Sequence, residues 1–360
     1  MARFGGDEFV VVLEKLGSDR HKAAVQAGHV AEKLRLCMTE AFDLDDQPFY
    51  SSVSIGATLF RGGADSAKSI LMHADLAMYR AKQDGRNALR FFEQSMEVEL
   101  ARRTALEAEL RVALARRQFI LHYQPQFDRA GVAIGAEALV RWNHPTRGLL
   151  LPGEFIALAE ETGIIVELGQ WVLDAACARI AAWSAAELTR DLVLAVNASA
   201  RQFAQADFVD KVRQSVRSAG ADPSRLKIEL TESTVLDNVA GAFDKMRALK
   251  ALGISFSLDD FGTGSSSLSY LTRLPLDQLK IDKSFVDDLP QDAQDAMVAQ
   301  TIIAMGKGLG LNVVAEGVET QAQWAFLMEH GCDAFQGFRF GRPMPLDGFE
   351  SLLAQRQQAS

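Results

Sequence analysis

Polar and charged residues recur at the ends of short apolar runs in the second half of the chain. They are Glu137, Asn197, Glu229, Asp259, Asp260, Lys280, Glu316 and Gln336. Carboxylate and amide oxygens, with no histidine or cysteine among them, are hard ligands that suit Mg2+ or Mn2+. Adjacent Asp259 and Asp260 could give one bridging and one private ligand to a metal pair roughly 3.5 to 4 Å apart, as in phosphoryl displacement. These residue types predict a divalent-metal phosphoesterase.

Each of these residues also has a structural explanation when it is taken alone. Asp259 or Asp260 could cap a following helix, and Glu229 could pair with a neighbouring lysine. Taken together, several carboxylates on one rim would repel one another and raise their pKa values unless cations lay between them. Lys280 in their midst could offset negative charge that develops during a reaction.

The elements that must position these residues are eight short apolar runs, several of them separated by helical segments. The runs are FILHYQP, AIGAEALVRW, LVLAVNAS, LKIELTES, ISFSLDDF, QLKIDKSFV, NVVAEGVET and AFQGFRF, and the intervening helices are predicted at 155–182, 207–219, 238–252 and 292–309. Buried strands that alternate with helices indicate parallel βα units, and eight such strands in about 240 residues fit a (β/α)8 barrel. Their carboxyl ends would then meet on one face. A doubly wound open sheet is the alternative, although no G-x-G-x-x-G loop supports a dinucleotide-binding version.

The first 92 residues have a different pattern. RFGGDEFVVVL reads as a tight turn followed by a strand, and helices are predicted at 19–39 and from Asp65 or Ser66 to about residue 83. The first of these helices has apolar spacing at Ala23, Val30, Leu34 and Met38. Alternation predicts a strand at 50–60, and ALRFF closes the segment as a short strand. Residues 93–118 are predicted to form a charged connecting helix.

Composition and charge limit the classes of function. The net charge is -9, from 38 Lys+Arg against 47 Asp+Glu, which argues against a general binder of nucleic-acid polymers. The three cysteines are far apart, so no disulfide framework is expected and a reducing, cytoplasmic setting fits. No apolar run is long enough for a membrane span, and no secretion signal is visible.

The strand-end residues also lie in motifs that resemble those of the EAL family of cyclic di-GMP phosphodiesterases. The motifs are HYQP, EALVRWNHP, VNAS, IELTES, LDDFGTG, KIDKSFV, AEGVET and QGFRFGRP, in order from about residue 105 to about residue 352. The resemblance implies a modified TIM (β/α)8 barrel that linearises cyclic di-GMP to pGpG with two Mg2+ or Mn2+ ions. It also implies a homodimer formed through this domain.

The resemblance implies a role for each matching residue. The metal ligands would be Glu137, Asn197, Glu229, Asp259, Asp260 and Glu316. Asp259 would bridge the two metals, and Lys280 would position or deprotonate the attacking water. The catalytic residues would be Lys280, Glu316, Glu137 and Asp260.

Other residues would contact substrate or support the site. Gln124, Arg141, Asp282, Gln336 and Arg342 would be substrate-binding residues, Gln336 also reaching a metal through water. A guanidinium at position 141 suits bidentate phosphate binding. Glu232 would anchor the DDFGTG loop with its Gly262 and Gly264, and Glu319 would support the ligands. Ser265 replaces a common aromatic in that loop.

The first segment resembles the GGDEF family of diguanylate cyclases through RFGGDEFVVVL, SVSIGAT and ADLAMYRAKQDGRNALRFF. Such a domain needs a preceding half that carries a further metal-binding aspartate, so residues 1–92 are expected to be the C-terminal half of an α+β domain without cyclase activity. Without that half, apolar edges would be exposed. The predicted organisation is a partial GGDEF domain at 1–92, a helical linker at 93–104 and an EAL domain at 105–355.

Two other functions stay open at this point. A receptor that binds cyclic di-GMP without hydrolysing it would use the same motifs, and it would show tight nucleotide binding without metal-stimulated turnover. An inactive fragment would show no cooperative folded unit, because an exposed half-domain favours aggregation.

Overall fold

The computed structural model describes residues 1–44, 47–61, 65–236, 238–262 and 271–358. The chain divides into two compact units, Met1–Leu106 and Glu107–Ser360.

The first unit is built from short strands and helices. Its elements are β1 (Ala2–Gly5), β2 (Glu8–Val10), α1 (Arg20–Thr39), β3 (Phe42–Leu44), β4 (Gln47–Phe49), β5 (Ile55–Ala57), α2 (Ala67–Gln83), β6 (Leu89–Phe91) and the first part of α3 (Gln94–Ala113). The described strands pair as β1 with β2, β3 with β4, and β5 with β6. The GGDE turn joins β1 to β2 in an antiparallel hairpin, and Gly6 has a φ of +52°, which favours glycine.

The apolar side chains of this hairpin are open to solvent. Phe4 is 68% exposed and Phe9 is 60% exposed. The predicted strand at 50–60 is wrong over most of its length, because only Ile55–Ala57 pairs, in parallel, with the equally short β6. The expected exposed apolar edges are therefore present in the first unit.

Helix α1 begins where its sequence predicts, but it buries a different face. Asp19 caps it by accepting hydrogen bonds from the backbone N–H groups of His21 and Lys22. Its buried residues are Ala23, Ala27 and Ala31. Val30 and Leu34, which share the predicted apolar spacing with Ala23, are both exposed. The small alanine stripe is the packed face, since residues four apart lie on one side of a helix.

The second unit contains the remaining strands and helices. Its strands are β7 (Phe119–Asp128), β8 (Ala133–His144), β9 (Gly148–Leu150), β10 (Val193–Asn197), β11 (Leu226–Thr231), β12 (Ser255–Phe261), β13 (Gln278–Ile281), β14 (Asn312–Ala315) and β15 (Ala334–Gln336). Its helices are α4 (Pro152–Thr162), α5 (Ile165–Trp183), α6 (Ala200–Ala204), α7 (Phe208–Ala219), α8 (Glu232–Leu236), α9 (Val239–Lys250), α10 (Ala293–Leu309), α11 (Gln321–His330) and α12 (Leu346–Gln358). Short 3-10 helices lie at Pro223–Arg225 and Lys283–Phe285.

The strands close into a barrel. Around the described barrel the order is β8, β10, β11, β12, β13, β14, β15 and β7, and β7 returns to β8. Each of the eight apolar runs predicted from sequence supplies one of these strands. The short β9 pairs with the outer part of β8. The structure therefore confirms the barrel and excludes the open doubly wound sheet.

One strand runs against the expected direction. β7 is antiparallel to both of its neighbours, β8 and β15, whereas the pairs from β8 through β10 to β15 are parallel. A run of purely parallel βα units is thus wrong at this position. The physical reason is the connection: β7 and β8 form a hairpin over residues 129–132, and a hairpin joins antiparallel strands.

The predicted helix at 155–182 is in fact two helices. α4 ends at Gly163, whose left-handed φ of +81° terminates the helix, and α5 begins at Ile165. Helices α7, α9 and α10 lie within two residues of their predicted bounds. In the part of the chain that the structure describes, no helix is long and apolar enough to cross a membrane.

Candidate active site

The structure brings most of the strand-end residues together at one end of the barrel. Asn197 is the last residue of β10 and lies beside Glu229 of β11 in the parallel register. Two positions after Glu229 on β11, Thr231 lies beside Asp259 of β12. Residues two apart on a strand point to the same face, so this register directs the three polar side chains into the barrel.

Lys280 of β13 is the centre of the cluster and is fully buried. Its ammonium Nζ lies 2.7 Å from Glu229 Oε2, 3.2 Å from Asp259 Oδ1 and 3.7 Å from Glu137 Oε2. It also pairs with Glu316, which directly follows β14. Four carboxylates from four strands or strand ends thus converge on one buried cation.

Amide side chains hold Glu137 from both sides. Asn197 Nδ2 donates to Glu137 Oε1 at 2.6 Å, and Gln336 Nε2 donates to Glu137 Oε2 at 2.6 Å. Gln336 also donates to Gln124 Oε1 at 3.0 Å and accepts from Gln126 Nε2 at 2.8 Å. Because both oxygens of Glu137 accept hydrogen bonds, its orientation is fixed.

Burial and charge oppose each other at Glu137 and Lys280. Burial alone would raise the pKa of the Glu137 carboxyl, but the charge of Lys280 and the two amide donors outweigh it and leave that pKa below its ordinary value. Burial would likewise lower the pKa of Lys280, but its surrounding carboxylates raise it well above the ordinary value. Glu137 is therefore a carboxylate and Lys280 an ammonium at neutral pH.

Other carboxyls of the cluster are shifted the opposite way. Burial, with the charges of Glu137 and Asp259, raises the pKa of Glu229 to about 8. Burial also raises the pKa of Glu316 well above its ordinary value. Asp260 is half-buried, and burial together with Asp259 raises its pKa. One lysine does not neutralise all of these groups, so the cluster favours bound protons or additional cations.

Asp260 has a special backbone conformation. Its φ of +54° lies in the left-handed region, and the register between β12 and β13 shifts between Leu258 and Phe261. A bulge of this kind re-aims a side chain within a strand. The Asp260 backbone N–H donates to Asp259 Oδ1 at 3.0 Å. The Asp260 carboxyl lies near enough to the cluster for the charges of Asp259, Lys280 and Glu137 to act on its pKa.

The donor set fits a divalent cation. Within the described residues, Glu229 Oε1 is buried and accepts no hydrogen bond, although its partner oxygen contacts Lys280. A buried carboxylate oxygen without a partner is costly, and a cation would satisfy it. In this structure, however, the carboxylates contact Lys280 rather than a shared metal position. In the described ranges, no group of three or more His, Cys, Asp or Glu side chains has a geometry ready to hold a metal ion.

The cluster lies beneath an open cleft with a volume of about 260 Å³. Its lining residues are Gln124, Glu137, Leu139, Asp259, Lys283, Glu316, Gly317, Glu319, Gln336, Gly337 and Phe338. Two glycines shape its wall, since a Cβ on Gly337 would overlap the backbone of Val318 and a Cβ on Gly317 would overlap the side chain of Lys283. The cleft gives small molecules direct access to the carboxylates.

The predicted substrate-binding residues do not all line this cleft. Gln124 and Gln336 do. Arg141 is buried and donates to the Val140 carbonyl oxygen at 2.8 Å. Asp282 caps the Lys283–Phe285 turn by accepting from the Ser284 backbone N–H at 3.0 Å. Arg342 lies over the ring of Phe338, with its guanidinium carbon 4.0 Å from the ring centroid.

The supporting residues are placed near the ligands. Glu319 accepts from Lys283 Nζ at 3.1 Å at the edge of the cleft. Glu232 is buried at the start of α8, immediately after β11. Gly262 has a φ of +101°, while Gly264 and Ser265 of the predicted loop lie outside the described residues. Anchoring of that loop by Glu232 stays a prediction.

Two residues of the site were missed by the sequence reasoning. Gln126 has a usable signal, because it lies two positions after Gln124 and so points to the same face of β7. Lys283 has none in its spacing, since it begins the short 3-10 helix that follows β13. Its position in the cleft emerges only when the segments after β13, β14 and β15 pack together.

Comparisons with known proteins extend over the whole chain. Cyclic di-GMP phosphodiesterase NbdA of Pseudomonas aeruginosa is 42% identical over 354 residues, which are 98% of this chain and 44% of NbdA. The bifunctional diguanylate cyclase/cyclic di-GMP phosphodiesterase MucR of the same organism is 44% identical over 355 residues, 98% of this chain and 50% of MucR. This chain thus spans about half the length of these curated relatives.

Solved structures resemble the second unit. The PaMucR phosphodiesterase in complex with c-di-GMP is 48% identical with a TM-score of 0.66, covering 68% of this chain and 99% of that one. The EAL domain of Mycobacterium smegmatis DcpA is 36% identical with a TM-score of 0.57, covering 66% of this chain and 98% of that one.

Family models match both parts of the chain. The model of the diguanylate cyclase GGDEF domain matches residues 1–88. The model of the EAL domain matches residues 107–343, well over half of the chain and the whole of the barrel. With its carboxylate cluster at the barrel mouth, this chain belongs to the EAL domain family.

Proposed function

We propose that this chain hydrolyses cyclic di-GMP to linear pGpG in bacterial second-messenger signalling, and that the reaction depends on Mg2+ or Mn2+. The observation that carries the proposal is the cluster of Glu137, Glu229, Asp259 and Glu316 around Lys280 beneath an open cleft. The names of MucR and NbdA, and the c-di-GMP complex of PaMucR, support the choice of substrate. We assign the activity to residues 105–355, with 93–104 as a linker.

The residues that would hold the metal ions are Glu137, Asn197, Glu229, Asp259, Asp260 and Glu316. Bound divalent ions would supply Lewis acidity and charge neutralisation for phosphoryl transfer. The unpartnered Glu229 oxygen and the raised pKa values of Glu229 and Glu316 support this ligand set. Mg2+ and Mn2+ both fit hard oxygen donors.

Lys280 would orient water and offset negative charge on the phosphate during attack. Its raised pKa keeps the ammonium protonated, which favours these two roles over removal of a proton from the water. Gln336 and Asn197 would keep Glu137 in one orientation through their hydrogen bonds. Gln124, Arg141, Asp282, Gln336 and Arg342 stay predicted substrate-binding residues. The homodimer and the cytoplasmic setting also stay predictions, and sedimentation velocity would test the first.

The test is incubation of the purified chain with cyclic di-GMP and either metal, with pGpG quantified by chromatography. We expect Glu137→Gln to lower kcat by at least about 100-fold, because it removes a charge aimed at the reacting centre. Glu187→Gln, at an exposed position away from the cleft, is the matched control. Tight binding of cyclic di-GMP without pGpG formation would identify a receptor and refute the proposal.

A further inference from the structure

The cleft over the carboxylate cluster is strongly acidic. Four of its lining residues are carboxylates: Glu137, Asp259, Glu316 and Glu319. Among the described residues that line it, Lys283 carries the only positive charge. Lys280 lies below the lining and is enclosed by its carboxylate partners. An anionic ligand that enters the cleft therefore meets one accessible ammonium group.

Lys283 is held at the cleft wall by contacts on three sides. Its Nζ lies 3.1 Å from Glu319 Oε1 and 3.6 Å from Asp287 Oδ1. The same atom is 5.7 Å from the centroid of the Phe338 ring, and the aliphatic stem lies against Gly317. The ammonium thus has a defined place where the segments after β13, β14 and β15 meet.

The ammonium of Lys283 remains able to bind a further acceptor. Its side chain is 48% exposed, and of the three N–H donors of an ammonium one is donated to Glu319, while Asp287 at 3.6 Å is an ion-pair partner beyond hydrogen-bond distance. The other cations predicted to contact substrate are placed differently. Arg141 is buried, and the guanidinium carbon of Arg342 lies 4.0 Å from the centroid of the Phe338 ring.

A cyclic dinucleotide carries two phosphodiester groups, and one of them reacts at a time. Resting on the proposed function, we propose that Lys283 binds the second, non-reacting phosphate and thereby makes the site selective for dinucleotides with two phosphates. The reacting phosphate would then lie over the carboxylate cluster around Lys280. Without Lys283, the second phosphate faces Glu319 and its neighbours with no compensating charge in the cleft lining.

The experiment compares two substrates on the full chain. Cyclic di-GMP carries the second phosphate, and bis(p-nitrophenyl) phosphate is a diester that lacks it. We expect Lys283→Met to raise KM for cyclic di-GMP about three- to tenfold with little change in kcat, as for loss of one partly exposed charged hydrogen bond. The ratio of kcat/KM for cyclic di-GMP to kcat/KM for the single-phosphate diester falls by the same factor.

Two further variants separate charge from packing. Lys283→Arg keeps the charge and is expected to restore most of the ratio. Lys211→Met is the control: it removes a lysine outside the cleft lining that also pairs with an aspartate four residues away. This variant is expected to keep the wild-type KM and kcat for both substrates. Raising the ionic strength should reduce the difference in KM for cyclic di-GMP between wild type and Lys283→Met, because salt screens an exposed charge.

An equal loss of kcat/KM on both substrates in Lys283→Met would mean that Lys283 only supports the fold of the cleft wall, and would overturn the inference. An unchanged KM for cyclic di-GMP would overturn it as well, while leaving the proposed phosphodiesterase intact. A wild-type chain that cleaves the simple diester but not cyclic di-GMP would refute both proposals.

Discussion

At the scale of single residues, the charge state of the site depends on Lys280, whose ammonium contacts four carboxylates. Glu137, Glu229, Asp259 and Glu316 all contact Lys280, and the pKa values of Glu137 and Glu229 shift in opposite directions because their other partners differ. Glu137 accepts two amide hydrogen bonds and stays ionised, whereas one oxygen of Glu229 has no partner in the described structure. Neighbouring carboxylates of one type thus acquire distinct properties.

Replacement of Lys280 should destabilise the barrel in a pH-dependent way. In Lys280→Met the carboxyls lose their cation, so the folded-state pKa values of Glu229 and Glu316 rise further above the unfolded values, and the pKa of Glu137 is no longer held below its ordinary value. Raised carboxyl pKa values give stability that is present at low pH and lost as the pH rises. We expect a loss of roughly 3 kcal/mol at pH 8.5 and a smaller loss at pH 5.5. Urea unfolding at the two pH values measures it, with Lys211→Met as control, and equal losses would contradict the prediction.

Metal binding should release protons. Because burial raises the pKa of Glu229 to about 8, most of this carboxyl is protonated at pH 7 and must lose its proton to bind a metal. At one fixed Mn2+ concentration, the rise in Tm should therefore be larger at pH 8.5 than at pH 6.5. Glu229→Gln should lose most of that rise, and Glu187→Gln should keep it. A rise independent of pH would show that this carboxyl is not a ligand.

At the scale of elements, the bulge in β12 is where the backbone departs from regular pairing. The left-handed φ of Asp260 would cost most non-glycine residues about 1 kcal/mol or more. The register shift lies between Leu258 and Phe261, so it spans both Asp259 and Asp260.

Two variants isolate the cost of that bulge. Asp260→Gly and Asp260→Ala both remove the carboxylate, but glycine accepts a positive φ without strain. We expect the glycine variant to be more stable than the alanine variant by about 1 kcal/mol, measured as the free energy of unfolding in urea. Equal stabilities would mean that the bulge relaxes when the carboxylate is removed.

Much of the barrel could be predicted from its apolar runs, but some features could not. Alternation and run length locate a strand such as β7 without stating its direction, so its antiparallel pairing was missed. The break between α4 and α5 depends on the left-handed conformation of Gly163. A glycine in the sequence permits this conformation but does not require it. The sequence predicted Lys280 among the carboxylates but not its particular ion-pair partners, because a motif shows that a residue lies at a strand end and not which charges surround it.

At the scale of the whole molecule, the two compact units differ in how their apolar side chains are buried. The large core cluster, with residues such as Phe127, Leu230 and Phe335, lies in the second unit. In the first unit the buried apolar residues include Ala23, Ala27 and Ala77, while Phe4 and Phe9 are exposed. A unit with few large buried side chains opens at a low free-energy cost.

Hydrogen exchange should therefore distinguish the units. We expect backbone amides of α1 and β5 to exchange at least about tenfold faster than those of β11 and β14, measured by mass spectrometry on the intact chain. Protection factors of the same size in both units would contradict this expectation and would imply a single cooperative fold.

The lysine at the centre of the barrel also affects whether the chain can fold without metal ions. Because the chain carries its own counter-ion for the carboxylates, we expect it to reach its folded state before any divalent ion arrives, unlike small domains that fold only around their metal. If hydrolysis needs Mg2+ or Mn2+ as proposed, scarcity of these ions would stop the reaction without unfolding the chain. Activity could return as soon as the ions do, with no new synthesis.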